Sequence, residues 1–318
     1  MLKFAAKRVA LMVPVLFIIS VAVFLIIYLT PGDPASSMLG MEATSEKIEQ
    51  VNERLGLNRP PLERYASWIA GVLHGDLGDS YFMNQPVAEA IGEHFGPTLS
   101  LAILAQFIAL VLALPAGIIS ALKRGSAADA ALRCVALVGV AVPGFLMALL
   151  LMWLLSVSMR LLPVAGYKPL SAGLAAHLRY LLLPGLALGI VQSALLMRMT
   201  RASVIEAMQL DCVKTARAKG VSEARVVLAH ALRNAALPIL TAVGFSFGAL
   251  LTGAVVTETI FNIPGLGQLV TTSIERRDYP VIQGVLLVVA LVTSGVNLAV
   301  DLLYGTLDPR ARVWGGRR

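Results

Sequence analysis

Residues 99–122 read LSLAILAQFIALVLALPAGIISAL, a run without one charged side chain. A hydrocarbon core of about 30 Å takes roughly 20 apolar residues of helix, so this run is long enough to cross a bilayer. Working outward, five more runs qualify, and together they predict six spans at 9–29, 99–122, 132–157, 180–197, 237–257 and 281–303. Composition agrees: 57% of the 318 residues are hydrophobic and 14% charged, too apolar for a soluble domain without a large exposed apolar surface. The predicted fold class is an all-α integral membrane protein with six transmembrane helices. The first run follows Lys3, Lys7 and Arg8, as a secretory leader would, but it is too long, and Thr30-Pro-Gly-Asp33 lacks a small-x-small cleavage pattern. It is expected to stay as an anchor.

The net charge of +7 acquires meaning once mapped onto loops. Basic residues cluster at the N-terminus, at Lys123, Arg124 and Arg133, across 198–233 and across 310–318, all on one side of a six-span chain. The positive-inside rule makes that side, with both termini, cytoplasmic. The other side holds residues 31–97, with ten acidic residues against four basic ones. The predicted organisation is therefore 1–30 (N-terminal segment and first span), 31–97 (external subdomain) and 98–318 (a five-helix core containing a loop at 198–236). Within the subdomain, Ser45 can cap a helix carrying Ile48, Val51 and Leu55, which Gly56 is placed to end; Tyr65, Trp68, Ile69 and Val72 suggest a second. The acidity could draw a partner or simply keep the segment soluble. Cys134 and Cys212 do not suggest a disulfide framework.

The loop at 198–236 is too long for a simple connection and too apolar for a disordered one. Residues 202–219 read as helix, Gly220 fits the left-handed position after a helix end, and Ser222 can cap a second helix over 223–236. Cys212, Ala216 and Gly220, four residues apart, form a predicted stripe of small residues flanked by Lys214, Arg217 and Lys219. Close docking of a partner and attachment to anionic lipid headgroups both fit that spacing.

Lys214-Thr215-Ala216-Arg217-Ala218-Lys219-Gly220, followed by residues 230–238 (HALRNAALP), resembles the coupling loop of ABC importer permeases in its dipeptide, oligopeptide and nickel form. Four other stretches carry the same resemblance in the same order: PGDP at 31–34, GDLGDS at 75–80, ETIFNIPGLG at 258–267 and DYPVIQG at 278–284. Lys214 stands where the general coupling consensus has a glutamate, as in the peptide-type subfamily, so no carboxylate contact carries over. The resemblance implies an ABC importer permease fold in the bacterial inner membrane, with residues 214–220 contacting a cytoplasmic ATPase. It implies as partners a second homologous permease, two ATPase subunits that bind ATP and Mg, and a periplasmic substrate-binding protein. Dipeptides or oligopeptides are the implied cargo, with nickel, glutathione or another small solute as alternatives.

No phosphate-cradling G-x-x-x-x-G-K-[ST] occurs, so ATP hydrolysis is not expected of this chain, nor any cofactor within it. Gly244-Phe-Ser-Phe-Gly248 mimics a hydrolase nucleophile elbow, but mid-span it reads better as a small-residue helix contact, and no catalytic residue is expected. His74, His94, His177 and His230 lack the spacing of a helical metal site. The basic charge belongs to membrane topology and lipid rather than to nucleic acid. An ion-driven secondary transporter predicts an ionisable residue or broken helix near mid-membrane, and no carboxylate occupies a mid-span position. Gln106, Gln192, Ser246 and Gln283 are candidate pore-lining residues, or equally hydrogen-bonding glue between helices. Asn297 and Asp301 are expected to pair with Arg198 or a neighbouring helix, and Pro143, Pro184 and Pro238 can bend their spans. The loop at 262–269, with the acidic segment, is the expected external docking surface.

Overall fold

The computed structural model describes residues 2–29, 35–36, 44–54 and 56–307, which form helices joined by turns and a single bridge pair, Asp79 with Pro86. The PGDP motif at 31–34, Asp33, Glu42, the 310–318 tail and the side chains of Val51 and Leu55 lie outside what is described. The main helices are α1 (Leu2–Leu29), α2 (Ser45–Arg54), α3 (Pro61–Leu73), α4 (Val87–Leu122), α5 (Ala127–Ala141) and α6 (Gly144–Leu151). They continue as α7 (Leu174–Met208), α8 (Asp211–Ala218), α9 (Glu223–Phe261), α10 (Leu266–Arg276) and α11 (Tyr279–Leu307).

Five of them, α1, α4, α7, α9 and α11, are long and apolar enough to cross a membrane. The predicted third span is corrected: it is two pieces, α5 and α6 with a π turn at Met152–Ser158, bent by 103°. Pro143 is the cause. Its ring disfavours helical geometry in the residue before it, and Val142 is extended at φ −78°, ψ 122°. Pro184 and Pro238, by contrast, stay inside continuous helices. Most spans also outrun their apolar stretches, α4 starting at Val87 and α7 reaching Met208.

The centre of the bundle is α4 against α7, brought close by small residues. A Cβ added at Gly189 would sit 2.9 Å from the carbonyl oxygen of Ala105, and one at Gly117 would sit 2.7 Å from the Cβ of Thr200. Helix α9 completes the core, with Ser246 donating to Gln106 Oε1 at 2.9 Å in a buried site. Helix α1 packs on α11, where Arg8 pairs with Asp301 at 2.9 Å. Asp301 thus bonds a neighbouring helix and not Arg198. Tyr65 and Trp68 of α3 pack on Phe24 of α1, and Tyr65 shares a 2.8 Å hydrogen bond with Ser20. The cap of α2 is Thr44 rather than Ser45: the Lys47 amide donates to Thr44 Oγ1 at 3.4 Å. Gly56 does follow that helix with φ +66°.

Large apolar side chains point outward from the bundle, among them Phe107, Val135 and Trp153, each more than 60% exposed. In water such a surface would aggregate; against hydrocarbon it costs nothing.

Candidate functional site

At one end of the bundle, α7 runs past its apolar section and stops at Gln209, and the chain turns through extended Leu210 (φ −65°, ψ 145°) into α8. The single helix predicted over 202–219 is therefore two. No glycine or proline marks the break. It is made by burial: Val213 and Ala216 insert into a cluster with Val204, Ala207, Val226 and Ala231, which lays α8 across the foot of α7 and α9. Ala216 accordingly faces inward, and the predicted stripe with Cys212 and Gly220 is not a shared outward face. Asp211, Cys212, Lys214, Thr215, Arg217, Ala218, Lys219 and Gly220 are exposed.

Gly220 ends α8 as expected. At φ +75° it lies in the left-handed region; its N–H donates to the Arg217 carbonyl at 2.9 Å and that of Val221 to the Ala216 carbonyl at 3.2 Å. This pair of bonds is the Schellman closure, available cheaply only to glycine. Ser222 holds the cap position of α9, although its side chain makes no capping bond. Across the turn, Arg217 donates to both Glu223 oxygens, at 2.6 and 3.2 Å, locking α8 to the start of α9. Lys214 pairs with Asp211 at 2.8 Å and holds its carboxyl below the usual range, leaving α8 a small, rigid, polar outer face. A groove of about 740 Å³, lined in part by Ile118, Ile205, Met208 and Leu228, runs beside it.

Behind this foot lies a buried ion pair that sequence reasoning missed. Asp129, at the start of α5, is 1% exposed; Arg201 of α7 grips it with two bonds at 2.9 and 3.0 Å, and Ser120 of α4 donates at 2.6 Å. Three helices are thereby fixed to one carboxylate.

The opposite end is clasped by three of the motif stretches. Glu258, fully buried at the end of α9, accepts from Thr98 Oγ1 at 2.6 Å, from the Gly267 amide at 2.7 Å and from the Gln268 amide at 3.2 Å. The carboxylate caps the N-terminus of α10, and the Leu266 amide donates to Thr98 at 2.8 Å. Gly265 has no room for a side chain, since a Cβ there would fall on the Glu258 carboxyl. Beside it, Ser80 Oγ donates to Asp278 at 2.5 Å and the Tyr81 amide donates at 3.2 Å, joining the 75–80 and 278–284 stretches. Burial pushes the Tyr81 phenol up to about 12. Of residues 262–269, expected with the acidic segment to form an external docking surface, Asn262 and Pro264 are exposed, Gln268 is half-buried and the others are buried in the clasp. Motif length was the available signal: ten residues matching beyond a span end need a structural reason.

Of the candidate pore residues, the structure brings Gln106 and Ser246 together as a bond between α4 and α9, while Gln283 is buried on α11 and Gln192 half-buried on α7.

Residues 113–313 match the family described as binding-protein-dependent transport system inner membrane component, and residues 1–102 match its N-terminal part. The chain belongs to that family. As an inner membrane component it is a multi-pass protein of the inner membrane. It is 41% identical over 312 residues to the glutathione transport system permease protein GsiC of Escherichia coli, covering 98% of this chain and 99% of that one. A Brucella abortus chain provisionally named a peptide transport system permease protein is also 41% identical, over 306 residues, 96% of this chain and 98% of that one. The fold is similar to that of a solved chain of the MetNI methionine ABC transporter in an inward-facing conformation. The TM-score is 0.60 at 15% identity, with 71% of this chain and all of that one covered. The permease resemblance drawn from the five motif stretches is borne out.

Proposed function

We propose that this chain is one half of the translocation pore of an ATP-driven importer for short peptides, glutathione-like tripeptides included. Full-length similarity to permeases named for glutathione and peptide transport supports the cargo class. The observation that carries the mechanism is α8. It is a short, exposed helix held at both ends, by burial of Val213 and Ala216 and by the Arg217 to Glu223 pair, and rooted in two spans at once. A body pressing on residues 214–220 therefore moves α7 and α9 together.

In this reading the α8 end faces the cytoplasm with both termini, and two ATPase subunits bind ATP and Mg there. A second, homologous permease completes the pore. A periplasmic binding protein delivers cargo to the α10 end, and ATP hydrolysis takes place on the separate subunits. Closure of the ATPases on ATP would drive α8 and tilt the attached spans, biasing two bundle arrangements of similar free energy. Gln106, Gln192, Ser246 and Gln283 remain the candidates to meet cargo after such a rearrangement.

The test is uptake by proteoliposomes holding the complete complex, with binding protein loaded with a dipeptide or glutathione. Uptake should require hydrolysable ATP and persist when ion gradients are collapsed. Uptake sustained by an ion gradient with ATP hydrolysis blocked would exclude an ATP-driven importer.

A further inference from the structure

Beyond the transport function, we propose that a basic cavity between α5 and α7 binds the headgroup of an anionic phospholipid. The cavity, of about 440 Å³, is lined by Ala130, Arg133, Cys134 and Leu137 of α5 and by Arg198 and Arg201 of α7. The four α5 residues follow helical spacing and so share one face; the two arginines of α7 are one turn apart.

Charge there is unbalanced. No acid is among the lining residues, and the adjacent Asp129 is already held by both Arg201 bonds, the Ser120 hydroxyl and the Gly125 amide. Arg133 reaches the same carboxylate at 3.4 Å with its side chain 54% exposed, and Arg198 is exposed. Three guanidiniums against one carboxylate leave an excess of two positive charges facing one cavity.

The walls define what kind of anion fits. Leu137 lies one turn further into the span than Arg133 and is 67% exposed, and Val138 beside it is 61% exposed. A ligand that places a phosphate between Arg133 and Arg198 and hydrocarbon along Leu137 satisfies both surfaces. Free phosphate uses only the first. Position fits as well: the arginines stand where the apolar parts of α5 and α7 end, the depth of a headgroup layer.

The test uses the full-length chain in detergent with Cys212→Ser, so that Cys134, which is exposed within the cavity, is the only thiol. Phosphatidylglycerol should slow maleimide alkylation of Cys134 and bind by native mass spectrometry, while phosphatidylcholine should do neither. Arg133→Gln with Arg198→Gln should weaken phosphatidylglycerol binding roughly 30-fold, about 2 kcal/mol, and abolish the protection. Arg201 is left intact because it supports Asp129. Equal behaviour of the two lipids would overturn the proposal. So would full protection by inorganic phosphate alone, which indicates a small-anion site. Cys134 shielded in the lipid-free assembled complex and indifferent to phosphatidylglycerol would mark a protein interface instead. If the double variant fails to fold, the two-lipid comparison on the unsubstituted arginines still decides.

Discussion

Glu258 is a fully buried carboxylate whose oxygens meet one hydroxyl and two amides. Glu258→Ala removes the acceptor of both amides, at about 1–3 kcal/mol for a buried group left unmade. We expect a clear fall in the thermal midpoint of the purified protein, with Glu258→Gln falling less. An unchanged midpoint for the alanine variant would contradict the clasp. Gly220 makes the complementary case. A valine there must hold φ near +75°, a conformation costing a β-branched residue about 1–3 kcal/mol. Gly220→Val should insert into the membrane normally yet lose ATPase co-purification and ATP-driven uptake; normal co-purification would refute the role given to α8. Gly220 was legible because a local rule, left-handed backbone after a helix, marks it in any context. Val213, Glu258 and Asp129 were not, since each depends on at least one partner distant in sequence: Arg201 for Asp129, Thr98 for Glu258, and for Val213 a cluster that runs from Ala121 to Ala235.

Elements show the same division between local and distant causes. Residues 209–211 (QLD) contain no helix breaker, and the turn into α8 exists because Val213 and Ala216 bury better against α7 and α9 than in a straight extension. No window of sequence reports that. At 142–143 the cause is local, but the run from 134 to 157 carries no charge, so hydropathy read it as one rod. Spin labels at exposed positions 135 and 153 offer a direct measurement. An unbroken helix would separate them by about 27 Å, and the bend should bring them well inside that. For the foot of the bundle, Arg217→Ala and Glu223→Ala should impair ATP-driven uptake to a similar degree. The double variant should be no worse than either, because both remove one tie. Additive losses would mean that Arg217 acts on the partner instead.

For the whole molecule, membrane class and family were legible, because crossing a bilayer imposes a length and an apolarity, whereas the bend at Pro143 leaves five full-length spans where six were predicted. Sidedness is an expectation that rests on where arginine and lysine gather. What covers the exposed apolar faces is absent from the sequence, since those surfaces belong as much to lipid and other subunits as to this chain. With Cys134→Ala a single thiol tests sidedness: a membrane-impermeant maleimide should reach Cys212 in inverted vesicles, not in right-side-out ones, and added ATPase should protect it. Labelling from outside would reverse the assigned orientation.

The tight crossing at Gly189 has a mechanical meaning. Helix α7 is one rod of 35 residues, about 52 Å long, and it rests on α4 near its middle. About 29 Å of it lies on the α8 side of that contact and about 22 Å on the other. A second close contact, Gly117 against Thr200, and the Arg201 grip on Asp129 hold the same rod to α4 and α5 nearer the foot. With contacts at both places the rod has no free pivot, so a displacement at the foot would carry α7 and α4 together as one rigid body, with no refolding of any segment.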